Sequence, residues 1–387
     1  MVKIIKYSII AVLLVAFSNC NTHPFASTPA RENELCAPDS SWGENQAEYA
    51  NGFTLYQKDN ICRVAVRNPW DSLRAMAVYY FTNDTTTITP TDGKRIANNG
   101  VRIAATSATH YTPLELLGCI DRIVSICSPD RAYNKKVKER YAEGKIRGLG
   151  ENYNINKEAL LGSKANLVII SKYEEVDQSE SFLKETGIST LFVQEWQENS
   201  LLGRAEWIKV MGAAVGEKKL ADSLFHTTAL RYDSLKSIAK SVKKKPKIMG
   251  GCGYRGTWYV PGGQSYMARL YNDAGGDYYY ATDTHTGSLS VSLESVLQHF
   301  ADADIWLGAQ AESITNETDA EPRIKVIQPI KTGEVYHYNR RKDGDATDFW
   351  EGAVSHPDSL LGDVIKALHP ELMPEWEWVY VKKLSTK

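Results

Sequence analysis

The sequence has few of the motifs that mark common enzymes and metal proteins. It contains no C-x-x-C pair, no H-x-H or H-E-x-x-H cluster and no histidine-rich tract, which argues against a thioredoxin site and a zinc ribbon. It also lacks the G-x-S-x-G elbow of hydrolases and the G-K-[ST] end of a phosphate-binding loop. Cys252 lies between glycines but has no histidine and aspartate at an identifiable catalytic spacing. We therefore expect no chemical step and no cofactor.

A large net charge is also absent. The 45 lysines and arginines nearly balance the 47 aspartates and glutamates, which gives a formal net charge of −2. Removal of an N-terminal signal peptide would take two lysines away and leave the protein slightly more acidic. This balance excludes a strongly basic nucleic-acid binder.

Long hydrophobic runs are missing except at the N-terminus. The apolar run Tyr7–Phe17 is preceded by two lysines and followed within three residues by Cys20. About 11 residues are too few to span a bilayer but suit the core of a signal peptide. The position of Cys20 resembles a bacterial lipobox, in which this cysteine is lipidated; cleavage by ordinary signal peptidase is the alternative. We expect a soluble body with a lipid anchor.

Five further cysteines are present, namely Cys36, Cys62, Cys119, Cys127 and Cys252. An exported protein can form disulfides, and the predicted pairs are Cys119 with Cys127 or Cys36 with Cys62. An odd number leaves at least one free thiol, and the sequence does not fix the pairing.

The longest helical pattern is Glu217–Val242, which contains neither glycine nor proline. Apolar residues recur along it with helical spacing, at Leu220, Leu224, Leu235, Ile238 and Val242. Three lysines and Pro246 follow it, which are signals of a helix end. A rod of about 40 Å in mid-chain predicts a strut between two lobes. An ordinary surface helix of one α/β domain is the alternative.

Buried strands alternate with loops and helices on both sides of this helix. We predict strands at 101–105, 123–126, 167–170 and 189–193 before it, and at 247–249, 258–260, 305–307 and 335–338 after it. Such repeats favour parallel sheets. The predicted fold class is α/β, with two Rossmann-like lobes and parallel-rich sheets joined by a single long α-helix. Residues 250–253 suggest a nucleotide loop at first, but flexible backbone for a cleft wall is the simpler hypothesis.

The predicted organisation has six segments. They are a signal peptide at 1–19, a lipid-anchored tether at 20–52, a small antiparallel β extension at 53–90, an N-terminal lobe at 91–215, the connecting helix at 216–244 and a C-terminal lobe at 245–387.

An internal repeat supports two related lobes, because Glu158 and Glu294 each lie in the first turn of a helix that leads into a buried strand. Asn156 and Ser292 are the predicted N-caps of these helices. Related lobes bind ligands in the cleft between them.

Three stretches resemble the substrate-binding proteins of ABC importers whose lobes are joined by one rigid helix. They are RIAATSATHYTPLELLGCIDRIVSI, NINKEALLGSKANLVII, and SYMARLYNDAGGDYYY followed by SVSLESVLQHFADADIWL. Ala165 and Asn166 stand where the family has proline and aspartate. The resemblance implies a monomeric, membrane-anchored periplasmic lipoprotein that delivers a ferric siderophore, haem or cobalamin to an ABC permease in the inner membrane. It also implies that Glu158 and Glu294 dock onto permease arginines, although each could simply complement the positive end of its helix.

The loops after the predicted strands supply the candidate ligand-binding residues. Those of the first lobe are His110, Tyr111, Arg131, Tyr133, Tyr153 and Trp196, with Tyr173 as a further candidate. Those of the second lobe are Tyr254, Arg255, Trp258, Tyr259, His285 and Trp350. Aromatic rings suit a flat macrocycle or a catechol, and arginines suit an anionic chelate. For each residue, packing in the core or in a loop is the alternative.

Two other functions stay open at this point. A related subgroup binds bare zinc or manganese through three histidines and a carboxylate, which here would require His110, His285 and His337 to converge. A surface lipoprotein serving an outer-membrane receptor is the other alternative. The residues after Cys20 lack an acidic export-type run, which favours retention in the periplasm.

Overall fold

The computed structural model of the chain describes residues 38–71, 73–84, 86, 89–152, 154–174 and 178–386. Cys20, Cys36 and Tyr153 lie outside these residues, so the predicted lipidation site, one predicted disulfide partner and one candidate ligand residue have no structural account. None of the helices in the described part is long and apolar enough to cross a membrane.

A four-stranded sheet precedes the first lobe. Its strands, in spatial order, are β1 (Phe53–Lys58), β2 (Ile61–Arg67), β3 (Ala75–Phe81) and β4 (Lys94–Ile96). The first three are antiparallel, whereas β4 pairs in parallel with β3. The sheet therefore continues past residue 90. It packs on the first lobe, where the rings of Phe53 and Trp207 lie 5.0 Å apart.

The N-terminal lobe is built on a five-stranded parallel sheet in the order β11-β10-β5-β6-β7. The strands of this part of the chain are β5 (Ile103–Ala105), β6 (Ile123–Ile126), β7 (Arg147–Gly148), β8 (Gly150–Glu151), β9 (Asn154–Ile155), β10 (Leu167–Ile170) and β11 (Ser189–Phe192). The helices are α1 (Tyr111–Leu116), α2 (Lys135–Ala142), α3 (Lys157–Ser163), α4 (Gln178–Thr186), α5 (Leu201–Glu206), α6 (Ile208–Val215) and the connecting helix α7 (Lys218–Lys240). The apolar runs predicted as strands in this lobe do form strands. A parallel sheet is buried on both faces, so its strands can be recognised in the sequence as short apolar runs.

The C-terminal lobe repeats this plan with a sheet in the order β15-β12-β17-β18-β21. The strands here are β12 (Lys247–Gly250), β13 (Cys252–Tyr254), β14 (Thr257–Pro261), β15 (Asp277–Tyr278), β16 (Ser288–Val291), β17 (Ile305–Leu307), β18 (Val335–His337), β19 (Lys342–Asp343), β20 (Ala346–Thr347) and β21 (Lys382–Lys383). The helices are α8 (Tyr266–Asp273), α9 (Leu293–Phe300), α10 (Ile314–Ala320), α11 (Gln328–Thr332) and α12 (Pro357–Leu368). Only β21 runs antiparallel in this sheet.

The connecting helix α7 packs with a face that includes only part of the predicted apolar stripe. Its buried side chains include Ala221, Phe225 and Ala229, whereas Leu220 and Ile238 are 40% and 39% exposed. The cause is close packing against α6, where a Cβ added at Gly212 would lie 2.4 Å from the Cβ of Ala221. Leu224 and Leu235 of the predicted stripe do pack, partly buried, against the core. The prediction missed the small residues of the buried face, through which two helices that approach this closely meet.

The glycine-rich segment after β12 is a hairpin. Gly251, Gly253 and Gly256 have the G-x-G-x-x-G spacing, but the segment forms the antiparallel pair β13–β14 instead of a turn into a helix. A helix N-terminus at that turn is what holds phosphates in nucleotide sites, so this segment is not one. Gly251 is required by contact, since a Cβ there would lie 1.9 Å from the carbonyl oxygen of Tyr259.

The predicted disulfide between Cys119 and Cys127 is wrong. Cys62, Cys119, Cys127 and Cys252 all have free thiols. Cys119 packs in the hydrophobic core on one side of the first-lobe sheet and Cys127 packs in the separate core on the other side. Their side chains therefore cannot meet without moving a strand.

The N-terminal segment that leads into β1 is fastened to α5 and α6. The buried Glu206 carboxylate accepts the backbone N–H groups of residues 48–50 at 2.7–2.8 Å and pairs with Lys209 at 2.7 Å. Glu198, also buried, accepts those of residues 51 and 52 at 2.9 and 2.8 Å. The end of the predicted tether is thus part of the folded body.

The C-terminal segment is fastened in a similar way. Asp363, on α12 and fully buried, accepts the backbone N–H groups of Val379, Tyr380 and Val381 at 2.6–3.0 Å. It also accepts the indole N–H of Trp376 at 2.8 Å.

Candidate ligand-binding site

In each parallel sheet there is one pair of neighbouring strands from which the chain continues toward opposite edges of the sheet. In the first lobe this position lies between β5 and β10, and in the second between β12 and β17. Ligands of α/β sheets bind in the crevice beyond the carboxyl ends of the strands at such positions. The side chains that follow β5, β10, β12 and β17 therefore define the candidate cleft.

His110 lies behind the first-lobe wall of the cleft. Its side chain is fully buried, and its Nε2 lies 3.2 Å from Oγ of Ser171, the residue after β10. Its Nδ1 has no hydrogen-bond partner among the residues that the structure describes. Burial lowers the pKa of His110 to about 3, which makes it a neutral imidazole. The prediction that His110 touches a ligand is wrong for this structure, because no face of the ring is accessible.

Tyr173 and Trp196 form an aromatic pair on the same wall, with ring centroids 5.2 Å apart. Tyr173 is 51% exposed and Trp196 is half-buried. Burial of the hydroxyl end raises the pKa of Tyr173. The ring nitrogen of Trp196 is buried and lacks a partner within the described residues. The accessible part of this pair is therefore the Tyr173 side chain.

The other first-lobe candidates differ in how much of each side chain is exposed to solvent. Arg131 is exposed at the end of a short turn, and Tyr133 is half-buried beside it. Tyr111 is a core residue with only 1% of its surface exposed, so the prediction that it binds ligand is wrong. Tyr111 is the first residue of α1, and its ring is buried in the core of the lobe, where removal of its apolar surface from water stabilises the fold.

The β13–β14 hairpin forms the second-lobe wall. Tyr254 and Tyr259 are 58% and 39% exposed, and the Arg255 guanidinium lies 5.1 Å from the Tyr254 ring centroid. Trp258 faces the opposite way because side chains alternate along a strand. It is buried with its ring centroid 5.6 Å from that of Trp306, so its predicted ligand contact is wrong.

His285 and Trp350 are both accessible on the second lobe. The His285 ring lies 3.1 Å from Asp283, and Trp350 is 58% exposed with an edge contact to Phe349 at 4.9 Å. His337, by contrast, is buried in β18. No three His, Cys, Asp or Glu side chains within the described ranges are grouped to hold a metal ion. The bare-metal alternative thus has no assembled site there.

Several side chains at the lobe interface were missed by sequence reasoning. Glu195 and Arg204, both buried, form a loose ion pair at 3.5 Å, and the Arg204 guanidinium lies 4.5 Å from the ring centroid of Tyr266 in α8. Ser171 was identifiable from its place directly after a predicted strand. Glu195, Arg204 and Tyr266 were not, because a single sequence carries no signal for a contact between two lobes.

The interlobe region also contains a cavity of about 840 Å³ beside α7. Its lining includes Tyr49 from the N-terminal segment, Ser200 from the first lobe, Asp233 and Lys236 from α7, and Arg269 from α8. Its size is within the range of small-molecule sites. None of the candidate residues from the sequence lines it.

Glu158 and Glu294 occupy equivalent places at the starts of α3 and α9. Asn156 and Ser292 are the N-caps as predicted, and each side-chain oxygen accepts the backbone N–H three residues on, at 2.9 and 3.2 Å. Both glutamates are exposed. Glu294 lies 3.4 Å from Arg323, and hydrogen bonds from its own backbone amide and from Ser292 lower its pKa.

Comparison with known proteins supports this architecture. The sequence model described as Periplasmic binding protein matches residues 103–340. An uncharacterized lipoprotein of Methanocaldococcus jannaschii is 24% identical to this chain over 394 residues, covering 96% of each protein. A second one from that organism is 26% identical over 243 residues, covering 62% of this chain and 56% of its own length. The apo periplasmic haem-binding protein RhuT from Roseiflexus sp. RS-1 shares the fold, with a TM-score of 0.55 over 70% of this chain and 99% of that one at 16% identity.

Proposed function

Because this chain belongs to the periplasmic binding protein family, we propose that it is the substrate-binding component of an ABC importer. It captures an iron chelate, such as a ferric siderophore or haem, or cobalamin in the cleft between its lobes and delivers this ligand to a permease. No chemical step is part of the proposal, in keeping with a family of solute-binding proteins.

The observation that carries this proposal is a set of exposed aromatic rings in the loops that form the cleft. Tyr173 follows β10, Tyr254 and Tyr259 lie on the hairpin after β12, and Trp350 lies beyond β18. Each of them is between 39% and 58% exposed. Large rings that remain open in a cleft supply rigid apolar area with polar tips, which suits a flat macrocycle or an aromatic chelate.

The test is a titration of the purified protein with haemin, cyanocobalamin and ferric catecholate and hydroxamate siderophores, followed by tryptophan fluorescence and calorimetry. We expect saturable binding of one of these ligands at submicromolar concentration. Tyr254→Ala and Trp350→Ala should each weaken binding about tenfold, the typical effect of removing an aromatic anchor. Tyr141→Ala is the control, since this tyrosine is 39% exposed and lies at the end of α2 that leads back to β7. No binding of any of the four would contradict the proposal.

The proposal extends to delivery and anchoring. Glu158 and Glu294 dock the two lobes onto cationic side chains of the permease, which gives a two-point orientation. Glu158→Ala with Glu294→Ala should abolish transport and leave ligand affinity unchanged; loss of ligand binding would contradict docking. Cys20 carries the lipid, a proposal supported by lipoprotein relatives, and Cys20→Ala should release the protein from membranes into the periplasmic fraction.

A further inference from the structure

A segment of the second lobe crosses to the first lobe at the cleft. This segment, residues 340–351, is called the strap here; it contains the short hairpin of β19 and β20. Strand β20 packs against the turn at residues 129–131 of the first lobe. Asp343, on the hairpin, forms an ion pair with Lys138 in α2. The strap is therefore an interlobe contact at the cleft, separate from the covalent connection through α7.

The strap ends in a carboxylate that is inserted into the other lobe. Glu351 has only 1% of its surface exposed, and its Oε2 accepts the backbone N–H of Tyr133 at 2.9 Å. The backbone N–H of Asn134 is a second donor to it. Tyr133 and Asn134 belong to the loop at residues 129–134, called the mouth loop here, which also carries the exposed Arg131. A side chain of one lobe thus fixes the backbone of a loop of the other.

The second-lobe end of the strap is itself rigid. Asp348 accepts the backbone N–H of Gly352 at 3.1 Å and pairs with Arg341 at 3.0 Å. The Phe349 ring stacks on Tyr338, with centroids 4.7 Å apart. Movement of the mouth loop away from Glu351 therefore requires either movement of the whole lobe or loss of these hydrogen bonds.

We propose that the strap is an interlobe clasp, in which Glu351 holds the mouth loop and thereby sets lobe separation and the rate of ligand release. This inference deepens the proposed function, on which its ligand-release part rests. The clasp brings Tyr133 of the first lobe close to the charged side chains of Asp348 and Arg341 on the strap. Glu351 acts here as a positioning residue, because it acts through the mouth loop and not through the ligand.

The chemistry of the clasp predicts different effects for two substitutions. Glu351→Ala removes the acceptor and leaves two buried N–H groups without a partner, which should release the mouth loop. Glu351→Gln keeps an oxygen at the same place and should preserve the clasp. Glu334→Gln is the matched control, because that carboxylate pairs with Lys383 inside the second lobe.

The first experiment measures lobe separation in the protein without ligand. Spin labels are attached at Lys145→Cys in the first lobe and Lys325→Cys in the second. The background carries Cys36→Ser and Cys252→Ser, because the Cys252 thiol is only half-buried and Cys36 is a further cysteine of the exported chain. We expect a narrow distance distribution for the parent, Glu351→Gln and Glu334→Gln, and a longer and broader one for Glu351→Ala. The same distribution for Glu351→Ala and the parent would overturn the proposal.

If Glu351→Ala does not fold, the clasp can be tested instead by exchanging the charges of the Lys138–Asp343 ion pair between strap and first lobe. Lys138→Asp and Asp343→Lys each place like charges opposite one another and should broaden the distribution. The double variant restores attraction and should restore the parental distribution. Failure of both single variants to broaden it would count against the clasp.

The second experiment measures haemin release into a haem acceptor protein. For Glu351→Ala we expect about tenfold faster release, the equivalent of one lost hydrogen bond, with a much smaller change in the association rate. Glu351→Gln should release haemin at the parental rate. If haemin does not bind to the parent, the haem branch of the proposed function fails, whereas the distance measurement still decides the clasp. Parental release by Glu351→Ala would overturn its role in ligand release.

Discussion

The segments near the two ends of the chain are both held to the body by buried carboxylates that accept backbone N–H groups. The charges beside these carboxylates differ between the two ends. Both lie outside residues 103–340, the part that resembles the family. At each end a buried carboxylate accepts a row of backbone N–H groups and an indole N–H lies close by: Trp207 donates to Glu198 at 3.0 Å, and Trp376 donates to Asp363 at 2.8 Å. At the N-terminal end, however, Glu206 has the Lys209 ammonium beside it, whereas the donors recorded for Asp363 are neutral N–H groups.

This difference shows two ways of keeping a carboxylate in a protein interior. A countercharge offsets the cost of desolvation at Glu206, and neutral donors offset it only in part at Asp363. In agreement with this, burial raises the pKa of Asp363 even though four groups donate to it. Glu206 should therefore be a stronger anchor than Asp363. Burial also raises the pKa of Glu198, whose recorded donors are neutral N–H groups like those of Asp363, so each fastening contains one carboxylate that is sensitive to pH.

Glu206→Ala should have the largest effect on stability. It leaves three backbone N–H groups without their acceptor and removes the buried carboxylate that pairs with Lys209, and breaking such a buried pair costs about 3–5 kcal/mol. Urea unfolding should show this loss, and amide hydrogen exchange at residues 48–50 should lose its protection. Glu48→Gln is the control, because the Glu48 side chain is 62% exposed and its ion pair with Lys209 should contribute less than about 1 kcal/mol. Equal stabilities of the two variants would contradict the comparison.

Asp363→Asn should cost less, about 2 kcal/mol, since the amide keeps one acceptor but turns its NH₂ toward other donors. Its effect should also depend on pH. The pKa of Asp363 in the folded protein is raised, so its contribution to stability is fully present below the unfolded-state pKa of about 3.9 and is lost as the pH rises through the folded pKa. Denaturation at pH 4 and pH 7 should thus show a larger difference between parent and variant at pH 4. A difference that grows with pH would contradict this assignment.

Trp207→Phe and Trp376→Phe should give the smallest effects, about 1 kcal/mol each, because each removes one hydrogen bond and keeps most of the buried ring. The two costs should be similar, since Glu198 and Asp363, the acceptors of the two indoles, both have only neutral N–H donors recorded. Thermal or urea unfolding of the two variants under the same conditions makes the comparison. If Trp207→Phe is clearly the more damaging, packing around Trp207 and not the electrostatics decides the outcome.

The sequence predicted the parallel framework well, and the physical reason is local. Apolar runs such as Leu167–Ile170 and Ile305–Leu307 are buried on both faces, so they need no information from distant residues to be recognised. The caps Asn156 and Ser292 were equally readable, because capping involves only the first turn of a helix.

The site was harder to predict because it depends on orientation and on distant contacts. Trp258 and Tyr259 are neighbours in β14, and one position decides which ring faces the core and which faces the cleft. Tyr111 and His110 were assigned to the cleft from their loop alone, whereas packing turned both inward. Glu206, Asp363 and Glu351 act through partners in other segments, and their local sequence does not indicate those partners.

The connecting helix has a consequence for how this chain can be divided. All strands of the first parallel sheet precede α7 and all strands of the second follow it, so neither sheet depends on a strand from the other half. Lys243, Lys244 and Lys245 lie between α7 and β12, where trypsin cleaves after lysine. A single cut there would leave two complete sheets held together by side-chain contacts alone. The halves, produced as separate polypeptides, should fold independently and reassemble by complementation, with the strap and α12 supplying the affinity.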